Sequence, residues 1–299
     1  MEQCLDAKKL KVKQRTLENY TWLVEKHIIP VLGNIPIGKL TADRIEAFYG
    51  ELVEKNTLAS ENISKIHTLI HESLNRAMRR ELINKNAAAL VDRPRIAKTL
   101  ITVWDKQQSQ AFLHAAREHR FFVAFILVLT TGIRLSEILG LRWQDVDLDA
   151  SELSVVQALS HDGKELSELK TASSGRKIVL PSETVVAMRK RKGQAREEAF
   201  ALGRTLKPSD LVISTSLGTK VIPRNLVRTF YQLLAKVDVP RIRFHDLRHT
   251  HATLLLKANI NPKIVAERLG HANVRVEVQD KEPVITEKPL QHKGSRVFN

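Results

Sequence analysis

The chain is 299 residues long, 43% hydrophobic and 27% charged, with a formal net charge of +15. That composition has room for two modest cores and excludes a disordered chain, while the charge points to a polyanionic partner. A lone cysteine, Cys4, excludes a disulfide scaffold or a cysteine-built zinc site within one chain.

In chain order, Leu17, Tyr20, Val24, Ile28 and Val31 recur at helical spacing and Gly33 closes that segment. Thr41 is placed to N-cap a second helix that carries Ile45, Phe48, Tyr49 and Leu52 on one face. A third helix is expected from about Ser60, with Ile63, Ile66, Ile70, Leu74 and Met78 as its apolar stripe. Arg76, Arg79 and Arg80 fall near its C-terminal end. There they either complement the helix dipole from solvent or contact a DNA backbone. Residues 1–93 thus read as a small helical domain, and the polar, proline-bearing stretch 94–99 as a linker.

A second domain is expected over residues 100–274. The run Phe121–Thr131 is too apolar to be amphipathic, so it reads as a buried helix ended by Gly132, and its Phe121–Leu129 core is too short to span a bilayer. A small antiparallel β-region follows. It holds Leu153 and Val155, a His161-Asp162-Gly163 turn, and Arg176 to Pro181. Helices are expected at Glu183–Ala201, Arg224–Lys236, His245–Lys257 and Pro262–Leu269. The fold class is therefore mostly α, α+β. In the tail, 275–299, helical periodicity is lost and prolines stand at Pro283 and Pro289.

The charge is uneven. Residues 1–93 carry 15 Lys+Arg against 12 Asp+Glu, and the other 206 carry 33 against 21. The basic residues are interleaved with core helices and do not flank a lipid-inserting face, so nucleic acid is the expected partner and a membrane is not. Few aromatics lie among them, which disfavours a base-stacking single-strand binder. Arg189 to Lys192, with Arg196, read as a solvated or phosphate-tracking face. No secretory signal is visible at the N-terminus, so a reducing cytoplasmic location is expected.

Three short motifs carry the chemistry. They are Gly132-Ile133-Arg134-Leu135-Ser136-Glu137, then His245-Asp246-Leu247-Arg248, then Leu269-Gly270-His271. Two arginines and two histidines without a cysteine or carboxylate box suit a site that holds a phosphodiester by charge-assisted hydrogen bonds. His245, His249 and His251 lack the i, i+4 pairing with a glutamate that a zinc hydrolase helix shows, so neither metal nor cofactor is expected. Taken singly, Arg134 also fits a helix-start salt bridge to Glu137 or Asp145, and His245 fits an N-cap or core role.

In this order and at this spacing, from about Lys11 to Val274, the motifs resemble the tyrosine recombinases of the phage-integrase type. The resemblance implies an N-terminal SAM-like core-binding domain that closes over duplex DNA, and an α-rich catalytic domain. It implies that Arg134 and Arg248 neutralise the pentavalent phosphate, and that Glu137 orients an arginine without touching DNA. Lys170, on the turn between two strands, would protonate the leaving 5′ oxygen, with Lys164 and Lys177 as rivals. His245 and His271 would serve as acid, base or phosphate ligand, and Arg176 would join the DNA contacts. Intact relatives of this kind work as homotetramers on DNA, as site-specific recombinases of phages and mobile elements.

The family's nucleophilic tyrosine should fall near Asp280 or Lys281. The chain's tyrosines are Tyr20 and Tyr49, on apolar helix faces, and Tyr231, in the helix before the His245-to-Arg248 motif, and all three read as core. The expectation is therefore a chain that departs from the ancestral sequence near Val274 and is impaired in strand cleavage. The alternative is a non-catalytic DNA-binding remnant that competes with or regulates an active relative. At the other end, the first domain starts almost directly after Cys4, which fits either a two-domain form or a truncated N-terminus.

Overall fold

The computed structural model describes residues 2–95, 101–168, 175–270, 275–279 and 282–286. The chain divides into two compact units between Thr99 and Leu100.

The first unit opens with α1 (Glu2–Lys9) and α2 (Gln14–Leu23). α2 runs through a π-turn, Val24–Ile28, into α3 (Ile29–Leu32). Pro30 explains the π-turn: it has no N–H to give and its ring crowds the preceding turn, so the helix widens by one residue. That extra residue shifts the apolar face, and Leu32 is buried where Val31, expected in the core, is 41% exposed. α4 (Ala42–Glu54) is capped as expected, Thr41 Oγ1 accepting from the Arg44 N–H at 3.4 Å. α5 (Ser60–Arg79) buries Ile63, Ile66, Leu69, Ile70 and Leu74 against Phe48, Tyr49 and Leu52. Met78, expected on that stripe, is exposed, because Ala77 takes the inward position in the last turn. Arg93 is tied back to α5, donating to Ser64 Oγ (2.6 Å) and Thr68 Oγ1 (3.0 Å).

In the second unit, α6 (Lys106–Ala116) starts with a reciprocal cap between Asp105 and Gln108. The core is built round α7 (Phe122–Thr131), buried along almost its whole length, and ends at Gly132 with a left-handed φ of 67°. Phe112, Phe125, Phe230 and Phe244 pack edge-on or tilted around it, with ring centroids 5.3–6.3 Å apart. α8 (Leu135–Gly140) follows at once. The sheet then forms from β1 (Val146–Asp147), β2 (Glu152–Val155), β3 (Gln157–Leu159), β4 (Leu166–Glu168) and β5 (Arg176–Val179). Strands β1, β2 and β5 make an antiparallel three-stranded sheet, with Leu153 opposite both Val146 and Ile178, and β3 pairs with β4 separately. The remaining helices are α9 (Ser182–Ala201), α10 (Pro223–Leu234), α11 (Asp246–Lys257) and α12 (Pro262–Leu269). The chain is mostly helical with a small antiparallel sheet, as the sequence pattern requires.

The basic run on α9 is not one solvated face. Arg191 is buried and donates to Glu198 Oε1 and Oε2 at 3.1 and 2.9 Å, and to the Val212 carbonyl at 3.2 Å. In the tail, β6 (Arg275–Gln279) and β7 (Glu282–Thr286) pair as an antiparallel hairpin, with Val278 opposite Pro283. Among the described residues no helix is long and apolar enough to cross a membrane.

Candidate phosphodiester site

Arg134 is the second residue after the Gly132 turn and stands at the N-cap of α8 in extended conformation (φ −75°, ψ 152°). Glu137, one turn on, reaches back to it. Its Oε2 accepts from the Arg134 backbone N–H (3.0 Å) and its Oε1 from Arg134 Nη1 (2.9 Å). Both readings of the sequence are thus present together: the helix-start salt bridge forms, and the Arg134 side chain stays 35% exposed beyond it. Asp145 pairs with Arg142 instead, at 2.7 Å. The turn before Arg134 admits only glycine. Gly132 is left-handed, and a Cβ there would lie 2.7 Å from His251 Cδ2 and closer still to Leu269.

Arg248 reaches the same turn from the other side, and His245 stands three residues before it. Residues 241–245 alternate, with Arg241, Arg243 and His245 outward and Ile242 and Phe244 in the core, so His245 is exposed. It is not a core histidine, and at the N-cap position of α11 its side chain makes no cap. Asp246 caps that turn, accepting from the Arg243 N–H (2.8 Å) and from the Arg243 guanidinium. Burial would raise the Asp246 carboxyl, but the hydrogen bonds and charge of Arg243 bring it below its ordinary value. One turn into α11, Arg248 is 2% exposed, with Nη1 on the Gly132 carbonyl (2.6 Å) and Nη2 on the Leu269 carbonyl (2.7 Å). A single guanidinium therefore joins the turn before Arg134 to the turn before His271.

His249 and His251 belong to the wall. The His249 ring stands edge-on to His245 at 5.1 Å. His251 Nδ1 lies 2.9 Å from the Leu129 carbonyl. A carbonyl only accepts, so His251 carries its proton on Nδ1, and its Nε2 is buried without a hydrogen-bond partner among the described residues. Burial, with Arg268 nearby, lowers the His251 pKa to about 4.

Arg176, expected among the DNA contacts, is largely buried. Its side chain is 8% exposed. It donates from Nη2 to Glu137 Oε2 (2.8 Å) and from Nε to the Arg268 carbonyl (2.9 Å). The reason is strand alternation: Arg176 opens β5 facing inward, and Lys177 takes the outer side, 3.8 Å from Glu152. Burial alone would raise the Glu137 carboxyl, but Arg176, and after it Arg134, hold it below its ordinary value. Arg268, which the motifs did not single out, donates from Nη2 to the carbonyls of Thr130 (3.0 Å) and Val179 (3.1 Å). Only the position of Arg268 beside the Leu-Gly-His motif could have flagged it.

Arg76, Arg79 and Arg80 sit on the last turns of α5, where they complement the dipole. Arg80 Nη1 donates to Gln3 Oε1 of α1, and Arg79 Nε to the Asn75 carbonyl at 3.4 Å. Lys170, His271, Asp280 and Lys281 lie outside the described residues. Of the tyrosines, Tyr49 is buried with its hydroxyl 3.1 Å from His67 Nδ1. Tyr20 lies beneath Lys8, and Tyr231 on α10 beneath the Arg241 guanidinium, 5.4 Å from the ring centre.

Residues 102–279 match the phage integrase family, and residues 1–53 match the N-terminal SAM-like domain of phage integrases. The chain belongs to the phage integrase family. Among its relatives, it is 26% identical over 265 residues to a "Tyrosine recombinase XerC-like" protein of Caldanaerobacter subterraneus subsp. tengcongensis, covering 82% of this chain and 68% of that one. It is 24% identical to the ICEBs1 integrase of Bacillus subtilis, covering 89% and 73%. Its fold is similar to that of the Tn1549 transposon integrase in complex with transposon right end DNA, with a TM-score of 0.77 at 23% identity over 90% of this chain and 91% of that one. It is also similar to a lambda integrase dimer bound to a core site, with a TM-score of 0.69 at 19% identity, covering 91% and 92%.

Proposed function

We propose that this chain acts on duplex DNA as a site-specific recombinase of a phage or mobile element, and that its own covalent step is impaired. In this reading Arg134 and Arg248 supply the positive charge for one backbone phosphate, Arg134 from its exposed guanidinium and Arg248 from within, where it is buried and bonded to two carbonyls. Guanidinium suits the task because it stays charged at any working pH and offers a planar fork. His245, exposed at the start of α11, exchanges protons or binds the phosphate, and Lys170 protonates the departing 5′ oxygen. Glu137 orients Arg134 from behind. The observation that carries the reading is the placement of Arg248, bonded to the carbonyls of both Gly132 and Leu269. The protein would work in the cytoplasm, in a homotetramer-like synapse on two DNA sites.

Strand cleavage in this family needs a tyrosine near Asp280 or Lys281, and this sequence has none there. Its three tyrosines are engaged by His67, Lys8 and Arg241. This favours a second reading, in which the chain occupies recombination sites and competes with, or is completed by, an intact recombinase. Identical copies have no tyrosine at that position to lend. A nicked suicide duplex, selected from a random pool by the chain itself, tests the pair. Salt-sensitive binding without adduct is the expected result, and a covalent protein–DNA band would overturn the impairment. Failure to bind duplex DNA at low salt would overturn both.

A further inference from the structure

We propose that Arg176 is a positioning residue that compensates the charge of Glu137, so that the positive charge of Arg134 is not cancelled and its outward pose is kept for a DNA phosphate. The proposal rests on the phosphate-gripping reading of Arg134 given above.

The geometry is a closed set. A carboxylate has about four acceptor positions, and Glu137 fills them with two arginines. Its Oε1 accepts from Arg134 Nη1 (2.9 Å) and Arg176 Nη1 (3.4 Å), and its Oε2 from the Arg134 N–H (3.0 Å) and Arg176 Nη2 (2.8 Å). Glu137 is 3% exposed and the Arg176 side chain 8%, so this contact lies inside the protein, while Arg134 is 35% exposed. Were Arg134 paired with Glu137 alone, the two charges would cancel and the carboxylate would draw the guanidinium inward. With Arg176 present the trio carries one net positive charge, and its outlet is the exposed Arg134.

Arg176 is itself held on every side. Its Nε donates to the Arg268 carbonyl (2.9 Å), and Arg268 returns a bond to the Val179 carbonyl at the far end of the same strand (3.1 Å). β5 and α12 are thereby tied in both directions. The guanidinium also lies against Gly270, where a Cβ would come within 3.0 Å of Nη1. Arg176 thus fixes Glu137 relative to the turn that leads into His271.

A merely structural arginine and a charge-compensating one predict different footprints. Phosphate-ethylation interference would be mapped on a duplex selected from a random pool by the wild-type chain. Arg134→Ala should lose interference at its own phosphate and retain it elsewhere. Arg176→Met should lose interference at that same phosphate, with affinity down about tenfold, the equivalent of one charge-assisted hydrogen bond. Glu137→Gln added to Arg176→Met should restore it, because no carboxylate is left to compensate. Arg176→Lys keeps the charge without the fork and should retain the interference; it carries the test if the methionine variant does not fold. Interference retained in Arg176→Met, not restored by the second substitution, or lost in Arg176→Lys would overturn the proposal. An Arg134→Ala footprint identical to wild type would instead overturn the phosphate-gripping reading, and the proposal with it.

Discussion

Two residues in the wall of the site are held in one protonation state, and that makes stability depend on pH. His251 is buried and neutral, its pKa lowered to about 4 from an ordinary 6.5. The unfolded chain takes up this proton below about 6.5 and the folded chain only below about 4. Stability from His251 is therefore complete above pH 6.5, falls as pH drops between these values, and levels off below. A shift of that size is worth on the order of 3 kcal/mol. Urea unfolding followed across pH 7 to 4 should show the decline, and His251→Asn, whose amide can replace the Nδ1–H donor to Leu129, should flatten it. Glu137 acts in a lower window: its contribution is present above about 4.5 and is lost as pH falls through its depressed value. Arg248 is the costlier residue to remove. Arg248→Ala strands two buried carbonyls, and equilibrium unfolding should register a loss of about 3 kcal/mol together with the loss of DNA binding. Arg134, Glu137, His245 and Arg248 were legible in the sequence because their spacing in short motifs is local information. Arg176, Arg191 and Arg268 were not. In a basic chain a buried arginine and a solvated one read alike until the tertiary partner, such as Glu137 or Glu198, is in place.

Helices were legible through their apolar spacing, and Thr41, Gly132 and Pro262 marked ends that the structure keeps. What the pattern did not carry was phase. A single proline, Pro30, widens the α2–α3 helix by one residue and exchanges Val31 for Leu32 in the core, an effect no fixed-period stripe contains. α6 escapes the pattern although its Asp105-x-x-Gln108 cap is readable, since its apolar face is short, Phe112 and Ala116 with the partly buried Leu113 beside them. Glycines at element ends and in element interiors answer differently to substitution. Gly132→Ala combines a left-handed φ with contacts to His251 and Leu269, and should cost about 3 kcal/mol. Gly50 on α4 and Gly193 on α9 have open space where an alanine methyl would stand, with nothing within 4 Å. Their alanine variants should gain roughly 0.5–1 kcal/mol each. Thermal melts of the three variants check both signs, and a stabilised Gly132→Ala would contradict the packing of the α7–α8 turn.

Over the whole molecule, the charge is concentrated where the motifs are: residues 94–299 carry 33 Lys+Arg against 21 Asp+Glu. Several of these arginines are internal, so the DNA-facing charge is smaller than the formal net of +15 suggests. Binding to duplex should still lose about a thousandfold between roughly 50 and 200 mM salt, the behaviour of a protein that makes about six or more phosphate contacts. Filter binding across that range checks it, and a flat salt response would exclude a phosphate-tracking surface. The two units divide between Thr99 and Leu100, and the anchoring of Arg93 on Ser64 and Thr68 was not readable in the sequence, because it depends on how the chain folds back along α5.

The bonds from Arg248 to Gly132 and Leu269 also set a clock on synthesis. Gly132 leaves the ribosome 116 residues before Arg248, and Leu269 follows 21 residues later. Until that last turn emerges, the guanidinium can bond to Gly132 but not to Leu269. A nascent chain therefore joins the turn at Gly132 to the turn at Leu269 only after residue 269 has left the ribosome.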